Sequence, residues 1–182
     1  MADNLAENEV ALSLDDLTMK LRHLSPVGAQ MMAEAAIVCL ENQKHEKGIR
    51  LTVYGDITAK CSLHWSDSAN VGQTSFWNDL DEATEYGATA VAVLLVGALR
   101  GYTVVERSRK GTGFDWWLGS DDELFQAKAR LEVSGILNGT IKRINARVKA
   151  RLAQAARSIE SALPLYVVVV EFGSPRARVS KP

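Results

Sequence analysis

The stretch LYVVVVEF, residues 165–172, is a nearly continuous apolar run with four consecutive valines. β-Branched residues favour strands, and a run without polar alternation is typical of a strand buried on both faces. It predicts a central strand of a sheet. The segment before it has apolar residues at helical spacing, and Thr140 can cap a helix that we predict to extend to about Ser161. A helix that leads into a buried strand predicts a crossover connection.

Three further strands are predicted upstream of that helix, at 102–108, 114–118 and 128–136. The links between them are short, and one of them is the basic glycine turn 109–113, so they form a meander. A mostly buried helix over 82–99 precedes them, because its apolar residues repeat at three and four. The order from about residue 80 is helix, strand, strand, strand, helix, strand. The predicted fold class is α/β (α+β), a mixed sheet flanked by helices.

The N-terminal region, residues 1–75, is predicted to hold a helical segment and a β-hairpin. Ser13 can cap a short helix, Ser25-Pro26 starts a second one that ends near Asn42, and residues 48–66 alternate as a hairpin does. We expect residues 1–11, residues 67–75 and the tail after Gly173 to be irregular. The chain then divides into residues 1–75 and a core domain, residues 76–182, with a basic C-terminal tail.

Composition excludes several classes of protein. Hydrophobic residues make up 47% and charged residues 24% of the 182 residues, as in soluble globular domains. Two cysteines and three isolated histidines exclude a disulfide framework, a zinc site and a catalytic triad. The apolar run 87–99 is shorter than the roughly 20 residues a bilayer span needs, and no signal peptide is visible. We therefore expect a cytoplasmic protein without membrane contact.

Charge is unevenly divided along the chain. Residues 1–99 carry six basic and fourteen acidic side chains, whereas residues 100–182 carry fifteen basic and eight acidic ones. Such asymmetry is typical of a protein whose basic part binds a polyanion. The alternative is two solvated faces that differ by chance, and composition alone does not separate the two.

Two acidic residues, Asp115 and Glu132, stand among apolar residues on successive predicted strands. Adjacent antiparallel strands would bring their carboxylates within about 6 Å, close enough to share one metal ion. Burial of a carboxylate costs several kcal/mol unless a cation or hydrogen bonds compensate it. Mg²⁺ prefers oxygen ligands and leaves room for a substrate phosphate. The alternative is that both residues face solvent, with Lys128 or Arg130 as an ion-pair partner.

This order of elements, with Asp115 on the second strand and Glu132 on the third, resembles the PD-(D/E)xK, or restriction-endonuclease-like, nuclease superfamily over about residues 80–172. The resemblance implies an αβββαβ core in which Asp115 and Glu132 bind Mg²⁺ or Mn²⁺. It also implies that the helix before the first strand adds an acidic ligand, for which Glu85 and Glu82 are the candidates.

One departure from the family pattern concerns the motif lysine, because Ser134 stands at its position. Serine carries no positive charge that could stabilise the transition state. Lys128 is the first candidate for a displaced lysine, since strand alternation places it on the face of Glu132. Lys142 and Arg143, early on the following helix, are its rivals.

The function that the resemblance implies is that of a magnesium-dependent DNA endonuclease, of the kind found in phage-defence and restriction systems. The predicted contacts to DNA are basic residues of the turn and of the last helix: Arg109, Lys110, Lys142, Arg143 and Arg147. The alternative is a catalytically inactive subunit with the nuclease fold that binds nucleic acid or assembles with a partner protein or further copies of itself. The missing lysine favours that alternative.

Overall fold

The computed structural model describes residues 9–20, 25–120, 126–155 and 162–181. Along the chain the elements are β1 (Val10–Ser13), a 3-10 turn (Leu14–Asp16), α1 (Leu17–Lys20), α2 (Pro26–Asn42), β2 (Ile49–Gly55), β3 (Ala59–His64), α3 (Val71–Phe76), α4 (Leu80–Arg100), β4 (Thr103–Arg107), β5 (Trp116–Gly119), β6 (Ala129–Ile136), α5 (Ile141–Ala155), β7 (Leu165–Glu171) and β8 (Arg176–Ser180). The strands form one mixed sheet in the order β1-β3-β2-β8-β7-β6-β5-β4. The predicted mixed α/β class is confirmed.

The predicted meander and crossover are also confirmed. β4 pairs antiparallel with β5, and β5 pairs antiparallel with β6. α5 then connects β6 to β7, which lies parallel to β6. The elements from α4 to β7 therefore occur in the predicted order and with the predicted pairings.

The sheet lies between two helical layers, and β7 contacts both. Its residues Tyr166, Val168 and Val170 belong to the large apolar cluster beneath α2 and α4. The alternate residues Leu165, Val167 and Val169 pack in a smaller cluster with the apolar side of α5. Every residue of β7 is buried, as the unbroken apolar run predicts.

α4 is wedged between α2 and the sheet. A Cβ atom on Gly135 of β6 would lie 2.3 Å from the backbone oxygen of Thr84, and one on Gly87 would lie 2.8 Å from Cα of Ala36. The two glycines thus allow backbones to approach where a side chain would not fit. α4 ends as predicted at Gly101, which is left-handed with φ of 66°. By length and composition α4 could cross a membrane, but 61% of that stretch is buried in the protein interior.

Three segments predicted to be irregular are ordered. Residues of β1 pair parallel with β3, and α3 begins at Asn70 with a reciprocal capping box to Gln73. The tail after Gly173 contains β8, which pairs with both β7 and β2 and so lies in the middle of the sheet. Each is too short to show a clear period in sequence, and β1 and β8 also pair with strands that are distant in the chain, β3 and β2. Residues 1–8 and 156–161, included in the predicted terminus and last helix, lie outside the described residues.

The N-terminal elements otherwise follow the prediction. α2 starts at Pro26, with Ser25 as its cap and Gly28 N–H as the donor to that cap. β2 and β3 form the predicted antiparallel hairpin. Ser13 makes no side-chain cap to the 3-10 turn that follows it. The predicted boundary between residues 75 and 76 falls inside α3, and the segments on either side contribute strands to the same sheet.

Candidate active site at the divergence of two strands

The site lies where β5 separates from β6. The β5–β6 register pairs Trp116 with Leu131, so that Asp115, directly before β5, stands opposite Glu132. The backbone N–H of Asp115 still donates to the carbonyl of Leu131 at 2.9 Å. The next strand amide, that of Val133, donates instead to Oδ2 of Asp115 at 2.8 Å. Because the two strands separate here, the Val133 amide is not used in strand pairing, and its hydrogen bond fixes the Asp115 carboxylate.

Glu132 points from β6 towards α5 and is 3% exposed. Its Oε1 lies 3.1 Å from Nη1 of Arg151, and its carboxyl group is within hydrogen-bonding reach of that of Asp115. Burial and the nearby Asp115 charge raise the pKa of Glu132 to about 8, although Arg151 acts in the opposite direction. Near neutral pH the pair therefore holds a proton, which one carboxyl group donates to the other.

A second arginine of α5, Arg147, lies one turn before Arg151. Its Nη1 donates to Oγ of Ser134 at 2.9 Å. Four residues of a helix rise about 6 Å, and two residues of a strand span about 6.7 Å. The spacing of Arg147 and Arg151 along α5 is therefore close to the spacing of Ser134 and Glu132 along β6. One guanidinium group contacts each of these two side chains.

Two adjoining cavities, of about 510 and 460 Å³, flank the carboxyl pair, and Arg107, Asp115, Glu132 and Arg151 line both. The walls that the cavities do not share differ in charge. The larger cavity reaches the first turns of α4 and is bordered by Glu82 and Glu85, whereas the smaller reaches the basic turn and is bordered by Arg109 and Lys110.

Several predicted site residues thus meet at one place. Asp115, Glu132 and Glu85 line the larger cavity, and Arg109 and Lys110 line the smaller one. Within the described ranges, no three Asp, Glu, His or Cys side chains form a group that could hold a metal ion. The acidic residues of α4 therefore border the cavity without closing a three-carboxylate cluster around the pair.

Lys128 is not among the residues that line either cavity. Its ammonium group donates to Oγ of Ser120, and its backbone amide pairs with Leu118 at the start of β6. Strand alternation does place it on the face of Glu132, but four residues of strand span about 13 Å. The structure therefore places the Lys128 side chain beside Ser120 and away from the cavities, and its catalytic role stays a prediction.

The rival cations at the start of α5 are also distant from the pair. Lys142 and Arg143 are exposed, and the Arg143 guanidinium donates to the carbonyl of Asn138. Eight residues of helix separate Arg143 from Arg151, a rise of about 12 Å. Arg151 itself is a site residue that the sequence analysis did not identify. In the sequence, Arg151 is marked only by its spacing of four residues from Arg147. That spacing identifies a site residue only when the face of α5 that contacts β6 is known.

The carboxyl pair suits a hard divalent cation. Mg²⁺ is usually held by one or two carboxylates and keeps several waters, so a two-carboxylate set is compatible with it. The pair also retains a proton near neutral pH, and a cation placed between the carboxyl groups would displace that proton. Comparisons of the chain with protein-family models, with curated proteins and with solved structures find no match.

Proposed function

We propose that this chain is a magnesium-dependent DNA endonuclease with a restriction-endonuclease-like core, as in restriction and phage-defence systems. One observation carries the proposal: two carboxyl groups, Asp115 and Glu132, face each other where β5 diverges from β6, with a cavity on each side. Glu132 is buried and faces the half-buried Asp115, and burial of a carboxylate costs several kcal/mol unless a cation or hydrogen bonds compensate it. The order and pairing of the elements from α4 to β7 add support from topology.

Asp115 and Glu132 are the residues that would hold the ion, with Mn²⁺ as the usual substitute for Mg²⁺. Such an ion would supply a Lewis acid for a phosphoryl oxygen and would favour deprotonation of an attacking water. The amide of Val133 orients the Asp115 carboxylate through its 2.8 Å hydrogen bond. Glu82 and Glu85 border the same cavity and can accept hydrogen bonds from water there.

The basic residues around the carboxyl pair have two different tasks in this proposal. Arg147 places a guanidinium beside Ser134, the position of the motif lysine, and so supplies positive charge for the transition state. A guanidinium stays protonated, which restricts Arg147 to charge stabilisation and excludes proton transfer. Arg109 and Lys110 border the smaller cavity and would contact a DNA phosphate beside the scissile one.

A second function is favoured by the Glu132–Arg151 ion pair. Arg151 lies 3.1 Å from Glu132 and supplies from within the chain part of the positive charge that a metal ion would bring. Together with the loss of the motif lysine, this contact supports a catalytically inactive subunit that keeps the nuclease fold to bind nucleic acid or to assemble with a partner protein or further copies of itself.

Plasmid cleavage separates the two functions. The purified protein is incubated with supercoiled plasmid, single-stranded DNA and branched DNA, with Mg²⁺ or Mn²⁺ and with EDTA. We expect metal-dependent cleavage by the natural chain, loss of cleavage in Glu132→Gln, and full cleavage in the control Glu106→Gln, which changes an exposed glutamate of β4. Cleavage of none of the three substrates, or equal cleavage by Glu132→Gln, would contradict the endonuclease proposal.

A further inference from the structure

Arg151 lies on the border between the two cavities of the candidate site and lines both. The charged residues that line the larger cavity are mainly acidic: Glu82, Glu85, Asp115 and Glu132, with Arg107 and Arg151. Those that line the smaller cavity are mainly basic: Arg107, Arg109, Lys110 and Arg151, with Asp115 and Glu132. The larger cavity therefore suits a cation and the smaller cavity suits an anion, and the Arg151 side chain adjoins both.

The guanidinium group of Arg151 makes its polar contacts through one nitrogen. Its Nη1 lies 3.1 Å from Oε1 of Glu132 and donates at 3.3 Å to Oε1 of Gln154, which lines the smaller cavity. A guanidinium carries five N–H donors, so these contacts use a small part of its capacity. Arg130 differs, because its Nε and Nη2 both donate to the carbonyl of Leu163. The Arg151 side chain is also 27% exposed, so it can turn towards the smaller cavity if Glu132 receives another partner.

A divalent cation at the carboxyl pair would be such a partner. The cation and the Arg151 guanidinium carry charge of the same sign, so they would compete for the Glu132 carboxylate. Asp115 is held by the Val133 amide, whereas Glu132 is held by Arg151, and therefore the competition concerns Glu132 alone. A guanidinium group that leaves a carboxylate can bind a phosphate, because both anions match its fork of parallel N–H donors.

We propose that Arg151 is a positioning residue that changes partner: when a divalent cation occupies the carboxyl pair, Arg151 leaves Glu132 and binds a phosphodiester of DNA in the smaller cavity. The inference rests on the proposed function for the identity of the cation and of the DNA. Arg109 and Lys110 border the smaller cavity whether or not the cation is bound, so Arg151 is the residue that makes this cavity respond to it.

The change of partner couples two binding events. The cation makes Arg151 available to the phosphodiester, and the phosphodiester withdraws Arg151 from the carboxyl pair and so favours the cation. Linkage requires the two effects on affinity to be equal. An arginine that only stabilises the fold would not produce this coupling, and neither would one that contacts DNA in the presence and absence of the cation alike.

The first experiment measures binding of the full chain to a fluorescent 20-base-pair duplex at 0.1 M salt, in EDTA and in CaCl₂. Ca²⁺ is a hard cation that takes oxygen ligands, and a denaturing gel checks that the duplex stays intact. One lost phosphate contact lowers the affinity at this salt concentration about eightfold. We expect that loss for Arg151→Gln in CaCl₂ only, and for the control Arg109→Gln, an exposed residue of the same cavity, in both solutions.

Calorimetric titration of CaCl₂ without DNA gives the opposite sign. Because a competing positive charge is removed, Arg151→Gln should bind Ca²⁺ about fivefold more tightly than the natural chain. Arg109→Gln should bind it with an unchanged Kd, since no contact joins Arg109 to the carboxyl pair in the described part of the chain.

A second variant, Glu132→Gln, weakens the hold on Arg151 without a cation. We expect it to raise the affinity for the duplex in EDTA about eightfold and to remove the gain that CaCl₂ causes in the natural chain. Glu106→Gln, at an exposed position of β4, is its matched control and should show no gain. The gain should disappear when Arg151→Gln is added to Glu132→Gln, because simple loss of a carboxylate would still act in that double variant.

The same loss for Arg151→Gln in both solutions, or no loss in either, would overturn the inference. So would weaker Ca²⁺ binding by Arg151→Gln, a gain that persists in the double variant, or no binding of the duplex by the natural chain in CaCl₂. Plasmid cleavage with Mg²⁺ reports separately on the proposed function. A chain that cleaves but shows no calcium-dependent loss in Arg151→Gln loses only the change of partner, and a chain that shows this loss without cleavage loses only the endonuclease.

Discussion

Glu132 and Glu171 are buried glutamates on neighbouring parallel strands, and their surroundings differ. The side chain of Glu132 is 4% exposed and that of Glu171 is 1% exposed. Glu171 accepts hydrogen bonds from the backbone amides of Gly139, Gly173 and Ser174 and pairs with Arg176 at 3.3 Å. It thereby ties the β7–β8 turn to the start of the α5 connection. Every donor it needs is supplied by the fold.

Glu132 has one guanidinium and, opposite it, another carboxyl group. In the described part of the chain no backbone amide donates to Glu132, whereas the Val133 amide donates to its neighbour Asp115. The comparison shows that burial of a glutamate does not by itself indicate function. What distinguishes Glu132 is that it is buried opposite a second carboxyl group. Burial, and then the Asp115 charge, raise its pKa despite the Arg151 guanidinium.

The largest expected difference is in stability. Glu171→Gln removes the charge that Arg176 and three amides are arranged around, so we expect it to lower the free energy of unfolding by about 3 kcal/mol and the Tm by about 10 °C. Glu132→Gln removes repulsion, and at pH 8 without metal it should leave the free energy of unfolding unchanged or higher. Urea denaturation of both variants measures this. Equal destabilisation would remove the distinction between the two glutamates.

The pH dependence of stability is the next largest effect. The folded chain holds the proton of Glu132 up to about pH 8, whereas the ordinary value is 4.5. The folded state therefore binds more protons in this range, and stability falls as pH rises from about 4.5 to about 8. We expect a fall of about 2 kcal/mol in EDTA, less than the full shift implies because solvent reaches the cavities. The free energy of unfolding is measured against pH for the natural chain and for Glu132→Gln, and the difference between the two isolates the contribution of Glu132. A difference that does not change with pH would contradict the assignment of the raised pKa to Glu132.

Substitution of Gly173 tests how much the hydrogen bonds to the Glu171 carboxylate contribute to stability. A Cβ on Gly173 would lie 2.7 Å from Oε1 of Glu171, so Gly173→Ala should force the carboxylate from its donors and cost about 1–2 kcal/mol. Gly28→Ala in α2 is the control, since the atom nearest its new Cβ is 3.8 Å away. It should be neutral or slightly stabilising. Thermal unfolding of the two variants is sufficient, and equal Tm values would show that the turn tolerates displacement of Glu171.

The smallest expected effect is stabilisation by Mg²⁺. An ion that binds only the folded chain raises the free energy of unfolding by about 1.4 kcal/mol at ten times its Kd. The Tm at pH 8 should rise with MgCl₂ for the natural chain and for Glu106→Gln, and it should stay constant for Glu132→Gln. A rise of the same size in Glu132→Gln would place the ion elsewhere.

Much of the core could be predicted because its signals are local. The unbroken valine run predicts a strand that is buried on both faces, and β7 is such a strand. The helical repeat of α4 and its glycine stop give nearly the observed bounds. The meander in turn predicts that Asp115 faces Glu132, since strands joined by short links are neighbours. Their roles in metal binding and catalysis stay predictions.

The sequence by itself therefore determined the element order from α4 to β7 and the encounter of two carboxyl groups. Only the tertiary structure decided which cations meet them. Arg151 and Arg147 reach Glu132 and Ser134 because of the rotation of α5 on the sheet, and Lys128 lies too far along β6. The same holds for β8, whose alternation is too short to read until β7 and β2 flank it. Periodicity reports which face of an element is apolar, whereas long-range packing decides what that face meets.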